Sequence, residues 1–186
     1  MANRRLASEI DGIVEHAIRY HFTSSEVFAA LWAPLLAALG GARAIARLID
    51  ETGTALCHAS AEVESAWPAE ARALFDVTGA VYREDHGHAY LAYPFEVAGE
   101  TLGSIVVELA SPVGAEEGEV RASLLAAAIE VLDNHLAALV GARRKQAAAH
   151  EMSVALQHTV LEEGVRAALE TLARYVKLGD LLLVFQ

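Results

Sequence analysis

The chain has 186 residues, a formal net charge of −11, 54% hydrophobic residues and 21% charged ones. That length and apolar content are enough to bury a core, and they exclude a disordered chain. The acidic balance excludes a nucleic-acid surface, which needs clustered Lys and Arg. The single cysteine, Cys57, excludes an intrachain disulfide framework and a multi-cysteine zinc site.

The amino terminus "MANRRLASEIDGIVEHAIRYHF" opens with two arginines as a secretory signal does, but Glu9, Asp11 and Glu15 interrupt any apolar stretch. No run reaches the roughly 18 apolar residues of a membrane span. A cytoplasmic protein without a membrane partner is therefore expected. Leu6, Ile10, Ile13, Ala17 and Tyr20 recur at spacings of four and three. This predicts a helix from about Asn3 to Phe22 with a coiled-coil-like stripe. Thr23-Ser24-Ser25 before Glu26 reads as a cap. The next helix carries Val27, Phe28, Leu31, Leu35, Leu36 and Leu39, holds Pro34 as a kink point, and stops at Gly40-Gly41.

"ARAIARLID", "ETGT" and "ALCHAS" read as a hairpin with an acidic turn. A helix after Pro68 and a short edge strand "AVYRED" follow. The clearest hairpin comes next, His88–Val97 and Glu100–Ala110. "SPVGAEEGE" then leads into a long helix expected over Val120–Gln157, with Leu125, Ile129, Leu132, Leu136 and Leu139 on one stripe and Gly141 as its weak point. The basic cluster Ala142–Gln146 reads as a solvated helix face. Glu26–Ile49 and Glu163–Gln186 share a layout of helix, glycine stop and apolar strand, with Val27 matching Val165 and Gly41 matching Gly179. The chain is therefore expected to be the amino-terminal piece of a longer protein, followed by an output domain. The expected organisation is an N-terminal helix over 1–23, a domain over 24–144, a linker helix over 145–161 and the start of a second domain over 162–186.

This order of elements resembles a GAF domain, the sensor and dimerisation module of signalling proteins. The similar residues run from about Ser24 to Arg144. They include the helix ending in Gly40-Gly41, the strand–turn–strand "ARLIDETGTALCHAS", the "YPFEVAGETLGSIVVE" strand pair and the long last helix. The resemblance implies an α/β (α+β) fold: an antiparallel sheet with helices on one face and a roof on the other, and long terminal coiled-coil-like helices. It also implies a ligand pocket between sheet and roof, and a homodimer formed through flanking helices. Members bind cyclic nucleotides, tetrapyrroles, haem, amino acids or no known ligand, and the cofactor here is unknown. Only about 27 residues separate Ser60 from His88, a short roof for a bilin or haem.

Strand alternation sorts the candidate residues. Arg43, Ile45, Arg47 and Ile49 share one face and Ala44, Ala46 and Leu48 the other. The small face suits close helices, which leaves the arginines facing the roof. Arg43, Arg47, His58, His88, Tyr90 and Tyr93 are the candidate ligand-binding residues. Guanidinium groups among them would hold a small anionic ligand. The competing reading pairs the arginines with Asp50 or Glu51. Leu6, Ile10, Ile13, Ala17, Leu132, Leu136 and Leu139 are the expected dimer interface.

Cys57-His58 resembles the bilin-attachment pair of phytochrome-like members, but it falls too early in the domain. Cys57 is read as a small buried hydrophobe. "DHGH" at Asp85–His88 reads as a turn rather than a metal site. Methionine-sulfoxide reduction, the enzyme activity known on this fold, needs a resolving thiol that one cysteine does not supply. A non-catalytic regulatory module is expected. It either senses a small ligand or serves as a dimerisation and relay scaffold without one.

Overall fold

A computed structural model describes residues 2–20, 22–49, 55–61, 66–97, 100–155 and 161–175. The chain forms two compact units, Met1–Leu139 and Val140–Gln186. The first begins with helices α1 (Ala2–Tyr20) and α2 (Ser24–Leu39), followed by strands β1 (Gly41–Ile49) and β2 (Ala55–Ala59). A one-turn helix α3 (Ala69–Arg72) and a 3-10 turn (Ala73–Asp76) precede β3 (Val81–Asp85), β4 (His88–Val97) and β5 (Glu100–Leu109). Helix α4 (Ala115–Ala155) runs on into the second unit, which also holds α5 (Leu161–Tyr175). The five strands lie in the order β2-β1-β5-β4-β3 with every neighbouring pair antiparallel.

Local chemistry accounts for the ends of these elements. The Thr23 hydroxyl accepts the Glu26 N–H at 3.3 Å, and the Glu26 carboxylate accepts the Thr23 N–H at 2.7 Å. This reciprocal capping box starts α2 where the sequence places a cap. Its hydrogen bonds hold the Glu26 carboxyl below the usual range. Gly40, at φ 67°, ends α2 in the left-handed conformation and donates to the Leu36 carbonyl. Between β3 and β4, His86 (φ 48°) and Gly87 (φ 81°) form a two-residue turn of the type that matches strand twist. "DHGH" is therefore a hairpin turn.

Two departures from expectation have local causes. Helix α4 starts at Ala115, ahead of the expected Val120. Glu116 and Glu117 occupy its first turn, where carboxylates favour the helix N-terminus, and the Gly118 N–H donates to the Gly114 carbonyl at 2.8 Å. The helix after Pro68 is one α-turn, and the chain then tightens into the 3-10 turn.

One sheet face packs on the helices. Ala44, Ala46, Leu48, Leu91, Phe95, Ile105 and Val107 meet Phe28, Leu31 and Leu35 of α2 and Leu125, Ile129 and Leu132 of α4. At about 1.5–3 kcal/mol for each large side chain removed from water, this layer is the main source of stability. Tyr82 on edge strand β3 holds the segment leading into α4, its hydroxyl donating to the Val113 carbonyl at 2.6 Å. Arg121 of α4 donates through Nη1 to the Leu39 carbonyl at the end of α2, at 2.8 Å.

The stripe on α1 is spent inside this same unit. Leu6, Ile10 and Ala17 are buried in the core that includes α2, as is Leu132 of α4. These four side chains, expected at a dimer interface, lie in the core of their own unit: an amphipathic helix next to an apolar one lowers its free energy by docking in cis. Ile13 is half-buried, and the side chains of Leu136 and Leu139 lie outside the described residues. In the second unit α5 buries Ala168 and Thr171. The strand expected after Gly179 and the acidic turn containing Asp50 and Glu51 also lie outside the described residues. No helix among the described residues is long and apolar enough to cross a membrane.

Candidate functional site

The second face of the sheet carries the candidate site. Its apolar floor is Ile45, Tyr90, Ala92 and Val106, and Trp67, Ala71, Leu74 and Phe75 close over it as a roof. The roof is pinned where the Ser104 hydroxyl donates to the Phe75 carbonyl at 2.9 Å.

Four of the six sequence candidates meet on this face. Arg43 and Tyr90 flank Glu108 of the central strand β5 as its register partners on β1 and β4. Directly opposed residues have Cβ atoms about 4.5–5.5 Å apart, so opposite charges there pair readily. Arg43 Nε donates to Glu108 Oε2 at 2.6 Å. His88 Nδ1 lies 2.8 Å from Glu108 Oε1, and its ring stacks on Tyr90. The Arg43 guanidinium also sits 4.6 Å above the Trp67 ring, and Arg47 sits 5.7 Å from the Phe75 ring centroid. These are cation–π distances. Burial, reinforced by the Glu108 charge, pushes the Tyr90 phenol above its ordinary value.

His58 and Tyr93 do not join them. His58 pairs with Ala46 in register and stacks on Phe28 at 5.0 Å, on the helix side. Tyr93 also faces the helices, and its hydroxyl donates to Glu130 at 3.4 Å. Alternation places both: Ala46 and Leu91 already face the helices, so a residue paired with the first or two positions from the second does too. Cys57, expected to be buried, is exposed. It lies on β2, the edge strand, opposite Arg47.

Glu108 and Trp67 are the site residues that sequence reasoning missed. The signal for Glu108 was present: "IVVEL" places a carboxylate inside an apolar run, on the face of Ser104 and Val106. Trp67 is 2% exposed, and its Nε1–H has no hydrogen-bond partner among the described residues. A buried donor left unpaired costs about 1–3 kcal/mol.

A second polar cluster lies on the helix side, around Asp133 of α4. Burial raises its carboxyl from 3.8 to about 6, a hydrogen bond from the Glu96 backbone partly opposes the rise, and the charges of Glu130 and Glu96 add to it. Its Oδ1 is buried with no hydrogen-bond partner among the described residues. The folded state thus binds this proton more tightly than the unfolded chain. The stability contributed by the proton is full below 3.8 and is lost as pH rises through about 6. Asp133→Asn is therefore expected to stabilise the protein by about 1–2 kcal/mol at neutral pH, the shift being discounted for a half-buried group. Urea melts at several pH values should show the gain shrinking to nothing at acid pH. A gain of equal size at every pH would mean that the carboxyl titrates normally.

No protein-family model matches the sequence, and no curated protein matches it. Among solved structures, the chain is similar to the A. aeolicus nlh2 GAF domain in an inactive state. The TM-score is 0.57 at 15% identity, covering 73% of this chain and 95% of that one. It also matches the GAF domain of an Acinetobacter phosphoenolpyruvate-protein phosphotransferase, with a TM-score of 0.48 at 15% identity over 73% of this chain and 93% of that one.

Proposed function

We propose that this chain, which has a GAF fold, is a non-catalytic regulatory module of a signalling protein. In this reading it forms a homodimer and passes changes between the sheet and the long helix α4 toward an output domain. The observation that carries the reading is the filled roof. Trp67, Leu74 and Phe75 pack on Ile45, Tyr90 and Val106, and the Arg43 charge is already met by Glu108. An anionic ligand would have to replace Glu108 as the partner of Arg43. Arg121 of α4 bonds the end of α2 at Leu39, and Tyr82 bonds Val113 in the segment that leads into α4. Packed elements of this kind shift as bodies rather than bend.

A second reading, small-ligand sensing, draws on the buried Trp67 donor beside Arg43. A ligand oxygen accepting from Nε1 would satisfy it. A thermal-shift screen of nucleotides, amino acids and organic acids separates the two, because binding to the native state raises the melting temperature. The relay reading expects no shift with any compound. A saturable rise that disappears in Trp67→Phe would establish the sensing reading in its place.

A further inference from the structure

Helices α1 and α2 enclose a groove of about 500 Å³. Glu9, Gly12, Ile13 and His16 line it from α1, Ala30 and Pro34 from α2, and Phe22 from the link between them. It lies in the helix layer, on the other side of the sheet from the roof and its arginines. Its volume falls in the range of small-molecule sites, about 300–1,000 Å³.

Each helix gives up stability at this groove. Gly12 stands inside α1, where a Cβ would meet no atom within 4 Å. Packing within the chain therefore does not require a glycine, although glycine weakens a helix interior relative to alanine. A larger side chain at this position would enter the groove. Pro34 stands inside α2 and has no N–H. The Ala30 carbonyl, four residues earlier, thus loses its helical donor. Both residues line the groove, so a main-chain acceptor is freed at its wall.

The remaining lining chemistry points the same way. Glu9 adds a carboxylate, and neither lysine nor arginine is among the lining residues. The Arg5 side chain that pairs with Glu9 at 3.0 Å is 84% exposed, and such exposed pairs are weak enough to exchange for another cation. The His16 ring packs against Tyr20 at 4.3 Å and Phe22 at 5.2 Å between centroids. Faces of tyrosine and phenylalanine attract cations. The chain's net charge of −11 draws cations and repels anions.

We propose that the α1–α2 groove is a binding site for an organic amine, a molecule with an apolar or aromatic body and an ammonium head. The apolar walls take the body, and Glu9, the Ala30 carbonyl and the aromatic rings favour the head. An anion of the same shape meets only acceptors and negative charge. A neutral one forgoes the attraction of Glu9. This site is separate from the roof face, and it does not depend on the relay reading.

Tryptamine, tryptophol and indolepropionate share one aromatic body and differ in the charge of the head. Calorimetric titration of the whole chain at neutral pH compares them. Tryptamine should bind saturably with a dissociation constant at or below about 1 mM, at least about fivefold tighter than tryptophol, and indolepropionate should not bind in that range. Gly12→Leu fills the groove and should weaken tryptamine at least about tenfold. Its melting temperature should match or exceed that of wild type, because leucine is the better helix former, so lost binding is not lost folding. Glu9→Gln should weaken tryptamine about threefold and reduce its dependence on salt. No saturable binding, equal affinity for tryptamine and indolepropionate, or a folded Gly12→Leu that binds as wild type does would each overturn the proposal. Binding that Trp67→Phe abolishes and Gly12→Leu keeps would place the compound under the roof, which overturns the groove and supports the sensing reading instead. Affinity that falls as the chain dimerises at rising concentration would give the groove to a second copy.

Discussion

Gly103→Ala is expected to destabilise the first unit by at least about 3 kcal/mol, the scale of a clash between a side chain and a backbone that cannot yield. Gly103 lies in the central strand β5 at φ 149°, a conformation that L side chains rarely adopt. A Cβ there would run into the backbone of Arg47 and Leu48 on β1. Neither strand is free to retreat. β1 is also held by β2, and β5 by β4, while both bury side chains in the helix layer. The glycine therefore sets how closely β1 and β5 approach, and with it the pairing that brings Arg43 to Glu108. Urea denaturation of the variant should show a midpoint far below wild type, or no folded baseline. A variant that melts with wild-type stability would mean that β1 and β5 have room to spare at this point.

Glu108→Ala should cost about 3 kcal/mol, as expected when one partner of a largely buried ion pair is removed and the other keeps its charge. The Glu108 side chain is 11% exposed and that of Arg43 is 21% exposed, so little water reaches the pair. The double variant Arg43→Met/Glu108→Leu should recover most of the loss, since apolar residues of similar volume replace such pairs at little cost. A double-mutant cycle reads the coupling directly. A coupling below about 0.5 kcal/mol would show that the pair behaves like an exposed one. His88 shares the same carboxylate, so His88→Ala should have a smaller effect than either ion-pair single variant.

Much of the fold was legible in the sequence, because its signals are local. The capping box at Thr23 and Glu26, the stop at Gly40, the hairpin turn at His86-Gly87 and the alternation in β4 and β5 each involve residues within a few positions of one another. Such signals act on the backbone before any tertiary contact forms. The same alternation sent Arg43 and Arg47 to the roof side of β1 and its alanines to the helix side. The site was legible in part. Arg43, Arg47, His88 and Tyr90 share a face. Tyr93 belonged to the opposite face of its own strand, and the register of β2 against β1, which sends His58 to the helices, has no local signature.

The sequence by itself determined which segments become helix or strand, where they end, and which residues share a face, since periods of 3.6 and 2 and the caps are properties of neighbouring residues. Only the tertiary structure decided what those faces meet. It gave Arg43 a partner 65 positions away, buried the α1 stripe in the core of its own unit, and left the alanine face of α2 open. Those outcomes depend on strand order and helix docking, which are set by the summed burial of many distant side chains and not by any one stretch of the chain.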